Sequence, residues 1–152
     1  MSAVAPAHRL RALAAFFASS FVLHLLWENL QAPLYEGFIS FRQHFWMCFR
    51  ATWGDLLFMC ILYLALAIVH RDLFWIASRS AYMQPMTWLA ALSTGILLAV
   101  GFEIWAIADQ RWQYTEAMPL IPLLQVGLTP VLQMVVIPSI VLLFTRHLSR
   151  FS

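Results

Sequence analysis

Lysine is absent from this chain of 152 residues, and charged residues of all kinds make up only 11% of it. A soluble domain usually has about a quarter charged residues. Nucleic-acid-binding proteins present clustered cations, and disordered chains combine high charge with few apolar residues, so both classes are excluded. The chain has only two cysteines, which excludes a small secreted domain held together by disulfides.

Apolar side chains are what the sequence has in excess. They make up 62% of the residues, and the mean hydropathy is +0.78. Small soluble domains bury only about two-thirds of their chain surface, so a soluble fold of 17.5 kDa has no interior large enough for them. The composition therefore predicts an integral membrane protein that has membrane lipid around it and no nucleic-acid partner.

Four apolar segments are each close to the roughly 20 residues that a helix needs to cross a bilayer. They run over residues 13–31, 46–69, 88–108 and 120–144. Backbone polar groups in lipid must be satisfied within their own segment, so each segment is predicted to be a helix. Because the loops between them are short, neighbouring helices should be antiparallel. The predicted fold class is all-α, a membrane four-helix bundle forming a single domain over residues 1–152.

The cations, all of them arginine, are distributed unevenly between the two sides of such a bundle. Cytoplasmic loops of membrane proteins carry an excess of arginine and lysine. One side holds the N-terminus, the second loop and the C-terminus, with Arg9, Arg11, Arg71, Arg79, Arg146 and Arg150, whereas the other side holds Arg42, Arg50 and Arg111. Both termini are therefore predicted to be cytoplasmic in a bacterial inner membrane. Trp75 and Tyr82 then mark the inner interface.

Every predicted span carries side chains that are costly to place in lipid, and such residues are candidates for a functional site. His24, Glu28 and Gln31 share one stripe of the first helix because they are three or four residues apart. The other spans add Asp55 on the second, Glu103 on the third, and Gln125, Thr129 and Gln133 on the fourth.

These side chains are predicted to lie at one depth. The first and third helices run outward and carry their polar residues past their midpoints, whereas the second and fourth run inward and carry Asp55 and Gln125 early. The residues that fall in the outer half of the membrane, where we therefore expect a polar pocket inside the bundle, are His24, Glu28, Asp55, Glu103 and Gln125. Pro130 interrupts the fourth predicted span beside this stripe, and a kink at that point is a second expectation.

A structural role for the same residues is the alternative. Amide and hydroxyl side chains such as those of Gln133 and Thr129 often hold neighbouring membrane helices together. Asp55 or Glu103 can equally pair with Arg50 or Arg111 and stabilise the bundle without any further role.

Four sequence blocks resemble a family of small four-span bacterial membrane proteins that has no assigned activity. The blocks are HLLWENLQAPLY at 24–35, ATWGD at 51–55, RWQY at 111–114 with Met118 and Pro119, and GLTPVLQ at 127–133. A looser resemblance is to the emopamil-binding (EXPERA) group of sterol isomerases. These small helical membrane proteins have an intramembrane His and Glu one turn apart, a further Glu on another span, and tryptophans in the pocket. The resemblance implies such parts for His24, Glu28, Glu103 and Trp27.

The first functional hypothesis is an enzyme that isomerises, hydrates or cyclises an apolar lipid or isoprenoid. Glu28 and Glu103 are the candidate acid and base, His24 is the candidate proton relay, and Asp55 is a second carboxylate or polar anchor. Tryptophan rings stabilise a developing carbocation. The candidate substrate-binding residues are Trp27, Trp53, Trp105, Gln31, Gln125 and Thr129.

A metal cofactor is a variant of this hypothesis. His24, Glu28, Asp55 and Glu103 are plausible ligands for iron, manganese or zinc. The doublets Met47-Cys48 and Met59-Cys60 raise copper in the same way, although soft residues in membrane spans are commonly filler.

Two other classes of function remain open. The chain is short and has almost no predicted extramembrane part, which suits a non-catalytic subunit or assembly factor of a larger membrane complex, or a homo-oligomer, that binds haem, chlorophyll, carotenoid or quinone. The third class is a proton-coupled carrier. A carrier needs polarity on both sides of the midplane, whereas the predicted inner half is almost entirely apolar.

Overall fold

Four long helices dominate the computed structural model, which describes residues 6–148. They are α1 (Pro6–Gln31), α2 (Phe41–His70), α4 (Pro85–Ala108) and α5 (Leu128–Leu148), and a short helix, α3 (Arg79–Met83), precedes α4. All four long helices are long and apolar enough to cross a membrane. The predicted helical bundle is confirmed to this extent, and the protein has the character of a multi-pass membrane protein. Arg150, used above to predict the orientation, lies outside the described residues.

The first three long helices include the predicted spans and extend beyond them at their N-terminal ends. α2 begins where the Ser40 hydroxyl accepts a hydrogen bond from the Gln43 backbone N–H at 3.4 Å, a typical N-cap. It ends at His70, and the following Arg71 has a left-handed backbone (φ 51°), a common way for a helix to end. Hydropathy alone did not predict these extensions because they carry charged and polar residues.

The fourth span is a correction to the sequence prediction, because α5 begins at Leu128 rather than near residue 120. The residues before it form a small antiparallel hairpin in which β1 (Leu120–Ile121) pairs with β2 (Val126–Gly127). Pro122 disfavours a helical backbone at the residue that precedes it, and this keeps the apolar run extended. Hydropathy does not register this restriction.

Prolines in α5 also differ from expectation. Pro130 lies in the first turn of the helix, where its missing N–H would have had no intrahelical partner, so it does not interrupt the span. The proline inside the helix is the buried Pro138.

The four long helices form a ring in which α1 and α4 each pack against both α2 and α5. α4 and α5 approach each other closely at Gly95. A Cβ placed on Gly95 would lie 2.3 Å from the carbonyl oxygen of Met134, so only glycine fits there. Ala91 and Ala99, one turn to either side, are buried on the same face, and the three small residues let the two helices approach.

The lower end of the bundle, where α2 ends and α4 begins, is closed by folded chain. A 3-10 turn (Trp75–Ala77) and α3 lie across it. Trp75 and Tyr82 are each only 1% exposed. The Trp75 indole N–H donates to the Tyr63 carbonyl, and the Tyr82 hydroxyl donates to the Ile76 carbonyl. These two aromatics belong to the core and do not mark an interface as the sequence suggested.

The upper end, where α1 and α4 end and α2 and α5 begin, is closed by two loops that pair with each other. Tyr35 and Tyr114 form an isolated antiparallel bridge. The Glu36 N–H donates to the Gln113 carbonyl at 2.9 Å, and the Thr115 N–H donates to the Leu34 carbonyl at 3.0 Å. The loop after α1 is thereby joined to the loop after α4.

Candidate functional site

Gln133 on α5 is the centre of a buried hydrogen-bond network. Its side-chain Nε2 donates to Asp55 Oδ2 on α2 at 3.0 Å and lies 2.9 Å from His24 Nδ1 on α1. Its Oε1 accepts from Gln31 Nε2 at 3.1 Å. The side chain is almost wholly buried, at 2% exposed. One amide therefore joins three helices through three hydrogen bonds.

A second amide extends the network along α1. Gln31 Nε2 also donates to Glu28 Oε1 at 2.7 Å, and Gln31 Oε1 accepts from the Trp27 indole at 3.2 Å. Each N–H of both amides has a partner, so these contacts fix the orientation of both groups. In its neutral form His24 then accepts at Nδ1 and carries its proton at Nε2. That buried Nε2 has no hydrogen-bond partner within residues 6–148.

Glu103 on α4 is held by a separate pair of donors from the upper loops. The Tyr114 hydroxyl and the Trp112 indole both donate to its Oε2, the indole at 3.3 Å. The Tyr114 hydroxyl in turn accepts from the Gly127 backbone N–H at 3.0 Å. Burial raises the pKa of Tyr114, and its hydrogen bond to Glu103 raises it further. The phenol therefore remains a proton donor to Glu103 across the physiological pH range.

The two networks face one cavity of about 550 Å³ in the upper half of the bundle. Glu28, Asp55 and Glu103, which the sequence predicted to converge, all line it, and Gln31 and Gln133 line it between them. A volume of this size is ordinary for a small-molecule site. The floor is apolar and consists of Phe58, Ala99 and Met134.

The cavity opens sideways, between α2 and α4. Met47 and Leu57 on α2 and Phe102 on α4 line it and are also exposed on the outer surface, at 66%, 61% and 38%. Gly54 lines the same opening, and a Cβ placed there would meet nothing within 4 Å. No side chain therefore covers the cavity at Gly54. In a bilayer this opening would face acyl chains.

The three tryptophans predicted to contact a substrate do not line the cavity. Trp53 is 57% exposed and packs against Phe21 and Phe49 on the outer surface. Trp105 is 47% exposed, and its ring lies 5.0 Å from the Arg111 guanidinium. Trp53 precedes Asp55 by two positions, and Trp105 follows Glu103 by two positions. Residues two apart on a helix point to nearly opposite sides, so both tryptophans point away from the cavity. Trp27 contacts Gln31 but not the cavity.

Other predicted site residues also lie elsewhere. Gln125 is exposed in the turn of the hairpin, and its amide donates to the Pro122 carbonyl at 2.5 Å. The Thr129 hydroxyl donates to Met118 Sδ at 3.3 Å and does not line the cavity. Of the predicted stripe on the fourth span, Gln133 alone therefore reaches the cavity, because Gln125 is not helical. His24 is wholly buried and reaches the site only through Gln133 and Asp55.

The structure also adds residues that the sequence analysis had not assigned to the site. Trp112 lines the cavity and Tyr114 orients Glu103, yet both lie on a loop where helical periodicity gives no signal. Gln133 was interpreted as a contact between helices, and it is one. Its burial beside Asp55 and His24 makes it part of the site as well.

The candidate metal ligands are not gathered into one group. Among residues 6–148, no group of three or more His, Cys, Asp or Glu side chains is arranged to hold an ion. Cys48 Sγ instead donates weakly to the Glu28 carbonyl at 3.6 Å, and Cys60 lies lower on α2. The expected ion pairs of Asp55 or Glu103 with arginine are likewise not formed. The ion pair of Arg111 is with Asp109, at 2.6 Å.

The residue arrangement therefore provides two inequivalent carboxylate environments on one cavity wall. One is an amide network around Glu28 and Asp55, and the other is a pair of aromatic donors around Glu103. Comparison with known proteins adds nothing to this geometry: no family model, no curated protein and no solved structure matches the chain.

Proposed function

We propose that this protein binds an apolar lipid or isoprenoid in the upper cavity and isomerises, hydrates or cyclises it by acid–base chemistry. In the proposed setting, the bacterial inner membrane with both termini cytoplasmic, the cavity lies in the outer half of the bilayer. One observation carries the proposal: carboxylates from three helices line a single cavity that has an apolar floor. Carboxylates are costly in such surroundings, and their convergence favours a chemical role.

The different partners of the carboxyl groups suit a division of labour. To move a double bond, an acid adds a proton to one alkene carbon and a base removes a proton from a neighbouring carbon. Glu103 receives two hydrogen bonds at Oε2 from aromatic donors and is assigned the role of base. Glu28 receives one from Gln31 and is assigned the role of acid. Asp55 anchors the amide network between them.

A developing carbocation would be stabilised by an aromatic ring, as in the original hypothesis, but by a different residue. Trp112 lines the cavity and its indole N–H already donates to Glu103. A cation formed beside that carboxylate would lie close to the ring of Trp112. The role assigned from the sequence to Trp27, Trp53 and Trp105 therefore passes to Trp112.

Two observations favour this function over the alternatives. His24 is 0% exposed, so an axial bond to haem or chlorophyll would require the surrounding core to open. The cavity ends at Phe58 and Met134, and below it the buried side chains of Phe16, Met59 and Leu62 fill the bundle. That closed floor does not suit a carrier, which needs a path to both sides.

Deuterium incorporation tests the chemistry directly. The purified full chain is reconstituted in vesicles containing a mixture of unsaturated isoprenoids in D2O, and the lipids are analysed by mass spectrometry. Because the acid exchanges with solvent, a lipid processed by the protein should gain deuterium. Glu28→Gln and Glu103→Gln should each abolish the gain, while Glu116→Gln, an exposed carboxylate outside the cavity, should retain it.

The melting temperature of each variant separates chemistry from folding. If Glu28→Gln and Glu103→Gln incorporate deuterium at the wild-type rate and only melt earlier, the cavity is structural. If the wild-type protein neither labels nor retains any lipid after gentle detergent extraction, the proposed function is wrong.

A further inference from the structure

Arg50 is a cation inside a helix that could cross a membrane, and it has no ion-pair partner within residues 6–148. It lies within α2 and lines the upper cavity. The ion pairs of His24 with Asp55 and of Arg111 with Asp109 do not involve it. An unpaired arginine in a membrane segment is costly and usually marks a ligand or ion pathway.

Arg111 approaches the same cavity from the loop after α4. Its Nε donates to Asp109, and its guanidinium lies 5.0 Å from the Trp105 ring. These contacts fix the plane of the group while leaving its two terminal amino groups for another acceptor. A planar guanidinium held in this way binds carboxylate and phosphate oxygens through two parallel hydrogen bonds.

The cavity is graded in polarity from its upper end to its floor. Arg50 precedes Asp55 by five positions, about 7.5 Å along a helix, and Phe58 follows about 4.5 Å further on. Cations thus lie at the upper end, carboxyl groups in the middle and apolar side chains at the floor. A ligand that fits this gradient carries an anionic group at one end and an apolar chain at the other.

We propose that Arg50 and Arg111 form a head-group site for a single-chain amphiphile that ends in a phosphate, with the chain passing the carboxylates towards Phe58. This inference rests on the proposed function and specifies its substrate class. Glu36 is a carboxylate that lines the same cavity, and its charge opposes an anion. Binding of the head group therefore depends on both arginines together.

The test compares two probes that share one tail. Equilibrium binding of radiolabelled farnesyl phosphate and of farnesol is measured on the purified full chain in a neutral detergent, with inorganic phosphate as competitor. Specific binding is defined as the probe binding that is lost in Gly54→Leu, a variant whose larger side chain occupies the opening between α2 and α4. Gly101→Leu is the matched control, because Gly101 is also an exposed helical glycine with nothing within 4 Å and lies outside the cavity.

The expected result is that farnesyl phosphate binds about tenfold or more tightly than farnesol, since charge-assisted hydrogen bonds to two guanidinium groups favour it. Arg50→Gln should remove most of that preference and leave farnesol binding unchanged. Arg42→Gln, an exposed arginine of α2 outside the cavity, should leave both unchanged. Added salt should weaken the binding of farnesyl phosphate alone. If Arg50→Gln does not fold, Arg111→Gln and the salt series carry the same test.

The outcomes separate this inference from the proposed function. Equal affinity for the two probes, both still lost in Gly54→Leu, would overturn the head-group site while leaving the lipid cavity intact. Inorganic phosphate that competes as well as farnesyl phosphate would replace the amphiphile by a free anion and also overturn it. No specific binding of either probe would overturn both proposals.

Discussion

Replacing Gln133 by methionine tests the network on which the site is built. Methionine is similar to glutamine in length and volume, so the packing against α1 and α2 should be retained while the amide is lost. The substitution removes hydrogen bonds to Asp55, His24 and Gln31. We expect a less stable protein whose fold is unchanged.

The size of the effect follows from the number and surroundings of those bonds. Hydrogen bonds between membrane helices contribute about 0.6 kcal/mol each on average, so three account for about 2 kcal/mol. Leaving buried partners unsatisfied adds about 1–3 kcal/mol. Asp55 keeps 16% of its side chain exposed and recovers part of this through water in the cavity. The expected loss is about 3 kcal/mol.

Thermal unfolding in detergent measures this loss. For a chain of this size 1 kcal/mol corresponds to about 2–4 °C, so Gln133→Met should lower the melting temperature by about 6–12 °C. Gln125→Met is the control, because that amide is exposed in the hairpin turn, and it should change the melting temperature by about 1 °C at most. Equal melting temperatures for the two variants would refute the network as a source of stability.

Three further predictions concern packing, pH and orientation. Gly95→Ala should destabilise the protein by about 2 kcal/mol or more, because its methyl group would meet the Met134 carbonyl. The control Gly101→Ala should stabilise the protein by up to about 1 kcal/mol through helix propensity. Melting curves that reverse this order would contradict the α4–α5 contact. Burial raises the pKa of Tyr82, so the unfolded chain releases that proton at a lower pH than the folded chain does. The stability of the protein should therefore fall as the pH rises above the ordinary tyrosine value of 10.0. Tyr82→Phe should reduce this loss of stability at alkaline pH, and an unchanged dependence on pH would contradict the role of Tyr82. The orientation is tested with single cysteines in a background in which serine replaces both native cysteines. Gln113→Cys should react with an impermeant thiol reagent on intact spheroplasts, whereas Ser80→Cys should react only after lysis. The opposite pattern would reverse the proposed orientation.

Much of the fold was predictable because it follows from short-range chemistry. Long apolar runs predict helices that could span a membrane, and their alternating directions predict that Glu28, Asp55 and Glu103 lie at one depth. The structure places these three carboxylates on one cavity. Hydropathy did not predict the start of α5, because Pro122 rather than a polar residue keeps the first part of the apolar run out of the helix.

The aromatic part of the site was not predictable from position along the chain. Trp53 and Trp105 lie close in sequence to cavity carboxylates, but the helical turn points them outward. Trp112 and Tyr114 reach Glu103 because a loop folds back over the end of α4. Such a contact depends on tertiary structure and leaves no trace in local periodicity.

The pairing of the two upper loops has a consequence for how a ligand of the proposed site would enter and leave. The bridge between Tyr35 and Tyr114 ties the α1–α2 hairpin to the α4–α5 hairpin at one end, and the lower core ties them at the other. The upper end cannot part without breaking backbone hydrogen bonds, and the lower end cannot part without exposing the buried Trp75 and Tyr82. The proposed ligand would therefore pass through the gap between α2 and α4, where the side chains of Met47 and Phe102 line the opening. Exchange should therefore depend on the order and thickness of the surrounding membrane more than on the composition of the aqueous phase.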